Sequence, residues 1–69
     1  MWDADKIKAM RKQHGMTQEE LAEIMGISVH TLRYWEQGQG AVPMIADKFL
    51  TILVERFEEE DAAKNELVA

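Results

Sequence analysis

The chain has 69 residues, enough for one small domain, and a domain of that size buries only ~60% of its unfolded surface, so it gains from a partner. It has no Cys, which excludes disulfide staples and Cys-based zinc sites and fits a reducing compartment. The net charge of −5 argues against a polyanionic partner until its distribution is considered: residues 1–54 carry six Lys/Arg against seven Asp/Glu, whereas residues 55–69 carry two against six.

Taken in chain order, the pattern predicts a first helix over Trp2–His14. Asp3 is its N-cap, and Ile7, Met10, Arg11 and His14 share one face at i, i+3, i+4, i+7 spacing. Trp2 is expected to lid the core, and Gly15 suits the left-handed stop. The stretch Met16–Leu21 opens a second helix, over 18–25. Thr17 and Glu20 form an S/T-x-x-E capping box, and Met16 and Leu21 sit at the positions of a hydrophobic staple. Leu21, Ile24 and Met25 are expected to face inward, and the small Ala22 allows close approach of a neighbouring helix.

Gly26 ends the second helix, and Ser28 caps a third within two residues, over 29–37, stopping at Gly38. Two helices joined so tightly cannot lie antiparallel; they form a helix-turn-helix. After a loop at 38–42, Pro43 opens a fourth helix, which runs to about residue 64. Ile45, Phe49, Ile52, Leu53 and Phe57 give it more apolar surface than three short helices need to cover. That excess predicts a dimer seam at Phe49, Ile52, Leu53 and Phe57. The expected organisation is one all-α domain of four to five helices over residues 1–64, with a dimerisation helix at about 43–64 and a frayed tail at 65–69.

Stepping ~100° per residue around the third helix divides its side chains. Ser28, Leu32, Trp35 and Glu36 fall on the inner side, with Trp35 as a core residue. Val29, His30, Arg33, Tyr34 and Gln37 point outward, a set with donors, one aromatic ring and no carboxylate. Such a set suits a DNA major groove. Arg33 can donate a bidentate pair to guanine or hold a phosphate, His30 can donate or accept at a base edge, and Val29 can pack on a thymine methyl. Gln18, at the first turn of the second helix, adds a donor where free backbone N–H groups attract an anion. Lys12 and Lys8 can reach the flanking backbone. The inward Glu36 needs a partner, because a buried unpaired carboxylate is costly; Arg11 points inward from the first helix and is expected to pair with it.

The run Arg11–Gly38, R-x-x-x-G-M-T-Q-E-E-L-A-E-I-M-G-I-S-V-H-T-L-R-Y-W-E-Q-G, closely resembles the Cro/repressor-type (Xre-like) helix-turn-helix family, and the likeness extends over about residues 5–54. The resemblance implies a lambda-repressor-like bundle that binds palindromic operators as a dimer, mostly to repress transcription. It also implies a phosphate-binding role for Gln18, base reading by Val29, His30 and Tyr34 with Arg33 beside them, and a buried ion pair of Arg11 and Glu36. The segment R-Y-W-E-Q-G-Q-G-A-V-P is also similar to two subgroups, antitoxin-like regulators and the small autorepressors of phage anti-CRISPR operons. One departure is the loop Gln39-Gly40-Ala41, where many relatives carry basic residues.

The functional expectation is a sequence-specific DNA-binding regulator, a dimeric repressor of its own operon. The alternative is an antitoxin or adaptor whose main partner is a co-encoded protein, a reading that draws on the acidity and the apolar excess of the fourth helix. Catalysis is not expected, since no nucleophile–base set or Gly-rich phosphate loop is present. The two His lack metal-ligand spacing, and no pattern asks for a cofactor. The longest apolar run, Ile52–Val54, is far short of the ~20 residues that span a bilayer, and MWDADK is unlike a signal peptide. A cytoplasmic setting, bacterial or in a phage-infected host, is therefore expected. Tyr34 reads either as a DNA contact or as a solvated surface residue, and the acidic run Glu58–Asp61 as a solvated helix end or, alternatively, a phosphate-mimicking or partner-binding segment.

Overall fold

The structure, a computed structural model, describes the backbone of residues 1–68 and the side chains of residues 1–62. Four helices follow one another: α1 (Ala4–Gln13), α2 (Gln18–Met25), α3 (Val29–Glu36) and α4 (Met44–Val68). No strand occurs among the described residues.

Each of the first three helices starts on a polar cap. Asp3 accepts the Lys6 N–H at 2.9 Å. At α2 the capping box closes in both directions: Thr17 Oγ1 accepts the Glu20 N–H, and Glu20 Oε1 accepts the Thr17 N–H, each at 3.1 Å. Ser28 Oγ accepts the Thr31 N–H at 3.2 Å. These contacts satisfy donors that the first helical turn leaves free.

The same three helices end alike. At the close of α2, Gly26 adopts φ 70°, which lets the Ile27 N–H reach back to the Ala22 carbonyl at 3.0 Å and the Gly26 N–H to that of Glu23 at 3.1 Å. This is the six-residue Schellman closure, and glycine enters its left-handed position without a Cβ penalty. The closure recurs at Gly15 and Gly38. Only Ile27 and Ser28 separate the turn from α3, so α2 and α3 are locked at a short, bent joint.

The core takes one fully buried aliphatic side chain from each helix, Ile7, Leu21, Leu32 and Leu50, with Met10, Ala22 and Trp35 around them. Burying each large side chain contributes roughly 1.5–3 kcal/mol. Trp2, Met16, Met25, Ile27, Ala46, Leu53, Val54 and Phe57 are half-buried against this cluster. Ile24, expected to face inward, is 46% exposed. The reason is angular: burial of both Leu21 and Ala22 centres the covered side of α2 between them, where Met25 also falls, and Ile24 lies about 110° away.

α4 begins at Met44, with the Pro43 carbonyl accepting the Asp47 N–H at 2.9 Å. It continues past residue 64 to Val68. Of the tail expected to fray, residues 65–68 are helical in backbone and Ala69 lies outside the described residues. The N-terminus grips α4 twice. The Trp2 N–H donates to Asp47 Oδ2 at 2.7 Å, and its indole Nε1–H to Thr51 Oγ1 at 3.0 Å. At the other end of α1, the His14 ring lies on that of Phe57 with centroids 4.5 Å apart. The long axis measures 44 Å against 21 and 20 Å for the others, set by the length of α4.

Candidate nucleic-acid interface

α3 is divided sharply by burial. Leu32, Trp35 and Glu36 are buried on the side facing α1 and α2, while His30, Tyr34 and Gln37 are exposed. Arg33 and Val29 are half-buried, Val29 because it also packs against the core. Gln37 forms the C-cap of α3, its N–H turned back to the Arg33 carbonyl. Lys12 is exposed and Lys8 half-buried on α1.

Beneath the open face runs a continuous polar chain. Arg11 meets Glu36 in a two-pronged pair, Nε to Oε2 and Nη2 to Oε1, both at 2.9 Å. Glu36 is 2% exposed, so this pairing and its hydrogen bonds supply what burial removes. A further Arg11 nitrogen, Nη1, donates to the Met16 carbonyl at 3.1 Å, tying the α1–α2 turn to the same site. Gln18 Nε2 donates to Glu36 Oε1 at 3.2 Å, and Gln18 Oε1 accepts from Arg33 Nε at 3.1 Å. Gln18 is therefore a coupler: its amide joins the buried pair of α1 and α3 to the outward Arg33, and one amide hydrogen remains for an outside acceptor. No buried side-chain nitrogen or oxygen lacks a partner among the described residues.

Arg33 is also held from the other side. Its Nη2 donates to Glu19 Oε1 at 3.2 Å, an exposed pair. The outward face of α3 carries no carboxylate of its own, as its sequence requires, but α2 brings one to its edge. Sequence reasoning missed Glu19 as a neighbour of Arg33. The signal was its place beside Gln18 in the first turn of α2, next to a helix joined by so short a turn. Gly40 was missed as well. A Cβ built there would fall 2.1 Å from Tyr34 Cε1 and 2.9 Å from Cδ1, so the ring of Tyr34 leans against the loop after α3.

On α4 the side chains proposed for the seam part company. Phe49 and Ile52 are exposed by 38% and 57%, whereas Leu53 and Phe57 are half-buried against the chain's own core. Ile45, one turn before Phe49, is 84% exposed.

A helix-turn-helix family model matches residues 7–45, from α1 to the start of α4. The chain belongs to the Cro/Xre-type helix-turn-helix family. It is also 43% identical over 42 residues to a protein of Pyrococcus horikoshii named, by inference, as an HTH-type transcriptional regulatory protein. That alignment covers 61% of this chain and 13% of the relative, so the chain spans only a small part of that protein's length. No solved structure matches the chain. Within the family's motif, α2 is the supporting helix and α3 the second helix, with Gly26 at the turn. No helix among the described residues is long and apolar enough to cross a membrane.

Proposed function

We propose that this helix-turn-helix chain is a sequence-specific DNA-binding regulator of transcription, and that it represses its own operon from the cytoplasm, without a catalytic role. The observation that carries the reading is the open face of α3. Val29, His30, Arg33, Tyr34 and Gln37 are presented on a helix whose opposite side is fixed by Leu32, Trp35 and the buried Glu36. Arg33 is the strongest candidate for a base-edge or phosphate contact, since its guanidinium is already oriented by Gln18. Gln18 and Lys12 hold backbone phosphates at the margin of the face. A single short recognition face gives little affinity, and the acidic balance adds no electrostatic help.

The remaining affinity comes from pairing two copies. The seam runs along Phe49 and Ile52, extended by the exposed Ile45 and flanked inward by Leu53 and Phe57. Ile45, Phe49 and Ile52 follow i, i+4, i+7 spacing on one side of α4. A two-fold dimer presents its α3 faces ~34 Å apart, or a multiple of it, on an inverted repeat.

The test is binding of the full chain to duplexes recovered from a random-sequence library. Arg33→Ala lowers affinity for the recovered site by about 1–3 kcal/mol if Arg33 reads a base. If it holds a phosphate, binding to all sequences weakens alike and the salt slope falls by about one. Unchanged binding by Arg33→Ala and Arg33→Glu refutes the assignment of α3. A second reading, an antitoxin or adaptor with a protein partner, is favoured by one observation, the exposure of Ile45, Phe49 and Ile52. Failure to recover any DNA site, with tight binding of a protein encoded beside it, selects that reading.

A further inference from the structure

Tyr34 is held at two points by the loop that follows its helix. The Gln39 N–H donates to the Tyr34 carbonyl at 3.2 Å. One edge of the ring, Cδ1, Cε1 and Cζ, occupies the space that a side chain at residue 40 would need, at 2.9, 2.1 and 3.1 Å from the ideal Cβ position. Gly40 is not one of the glycines with positive φ, which are Gly15, Gly26 and Gly38. Its φ therefore lies outside the left-handed region that disfavours side chains, and what a side chain at residue 40 would contest is space. The absent Cβ makes room for the ring. Tyr34 remains 49% exposed, so a seated ring still offers its free edge and hydroxyl outward.

We propose that Gly40 is a positioning residue for Tyr34: the loop glycine seats the ring in the pose with which the open face of α3 meets DNA. The inference rests on the DNA-binding reading and specifies how one side chain of that face is prepared. An exposed Tyr on an open helix surface exchanges rotamers and must be immobilised on binding, which costs about two- to tenfold in affinity per side chain. A ring already braced by the Gly40 backbone avoids most of that loss. A methyl at residue 40 leaves the loop backbone unstrained and expels the ring.

The experiment compares Gly40→Ala in three backgrounds, the wild type, Tyr34→Phe and Tyr34→Ala, on the duplex that the full chain selects from a random-sequence library. Gly40→Ala is expected to weaken binding by about two- to tenfold in the wild type and in Tyr34→Phe, which keeps the ring. It is expected to change nothing in Tyr34→Ala, where no ring remains to expel. In the free protein, the Gly40 Hα resonances carry a ring-current displacement that Tyr34→Ala abolishes, and far-UV circular dichroism shows that each variant keeps its helices. Equal effects of Gly40→Ala in all three backgrounds, or no effect in the wild type, overturn the proposal. So does Gly40 Hα chemical shift that ignores the loss of the ring. If Tyr34→Ala binds as the wild type does while Arg33→Ala weakens, the DNA reading stands and this inference alone falls. If the chain selects no duplex, the DNA reading falls and takes this inference with it.

Discussion

Replacing Glu36 by Ala tests the physical core of the site. Its carboxylate, 2% exposed, accepts two hydrogen bonds from Arg11 at 2.9 Å and one from Gln18 at 3.2 Å. Removing it strands a guanidinium whose side chain is only 13% exposed and which keeps just the Met16 carbonyl. Breaking such a pair from one side costs about 3–5 kcal/mol. At ~0.05–0.15 kcal/mol per residue, a chain of this length has only about 3–10 kcal/mol in all, so Glu36→Ala is expected to lie near or beyond the limit of folding. Arg11→Met is expected to be as damaging, because it leaves the carboxylate with Gln18 alone. The double variant Arg11→Met/Glu36→Leu behaves differently: with both charges gone, it is expected to fold within about 1 kcal/mol of the wild type or to exceed it. Urea unfolding followed by far-UV circular dichroism measures all four proteins, with equal slopes required for the comparison. Where Glu36→Ala is unfolded in buffer, Glu36→Gln gives a milder loss, about 1–3 kcal/mol. Single variants that each cost under about 0.5 kcal/mol would refute the reasoning.

Three further outcomes are expected. Gly26→Ala costs about 1–2 kcal/mol of stability; no atom beyond the adjoining residues lies within 4 Å of the added methyl, so the loss is backbone strain, and Gly26→Asn recovers part of it in the same urea titration. Glu19→Gln leaves stability within about 0.5 kcal/mol, since its pair with Arg33 is exposed, but it strengthens binding to the selected duplex at low salt because Arg33 no longer has a competing carboxylate; weaker binding would instead make Glu19 an orienting group for Arg33. If two copies pair along α4 as proposed, Ile52→Glu shifts sedimentation from dimer to monomer and weakens DNA binding while the helix content stays constant, whereas an unchanged dimer would remove Ile52 from the seam.

Most of the fold is legible because it is specified locally. Asp3, the Thr17–Glu20 box and Ser28 mark the starts of helices, and Gly15, Gly26 and Gly38 their ends, each through contacts within six residues. The separation of α3 into a covered side at Leu32, Trp35 and Glu36 and an open side follows from the helical step. What is not legible depends on where neighbouring helices fall. Periodicity alone places Ile24 beside Leu21, yet the covered sector of α2 is chosen by α3 and the shared core and excludes it. The meeting of Arg33 with Glu19 likewise depends on how α2 and α3 are set against each other. The seat of Tyr34 on Gly40 is invisible because a missing Cβ leaves no pattern, only a composition that also suits a turn.

The double grip of Trp2 on α4 has a mechanical meaning. Asp47 and Thr51 lie one helical turn apart, so two contact points from one residue fix a direction and not merely a position. α4 spans 25 residues, a rod of ~37 Å at 1.5 Å rise per residue, and it is held on the bundle from Asp47 to Phe57. A small change in how that stretch is seated turns the whole helix. If two copies join along α4, the stride between their α3 helices depends on how Trp2, Leu50 and Phe57 together seat α4 on the bundle. Trp2→Ala would remove the indole bond to Thr51 and keep the backbone N–H on Asp47, leaving each reading head intact while loosening the angle at which α4 carries it.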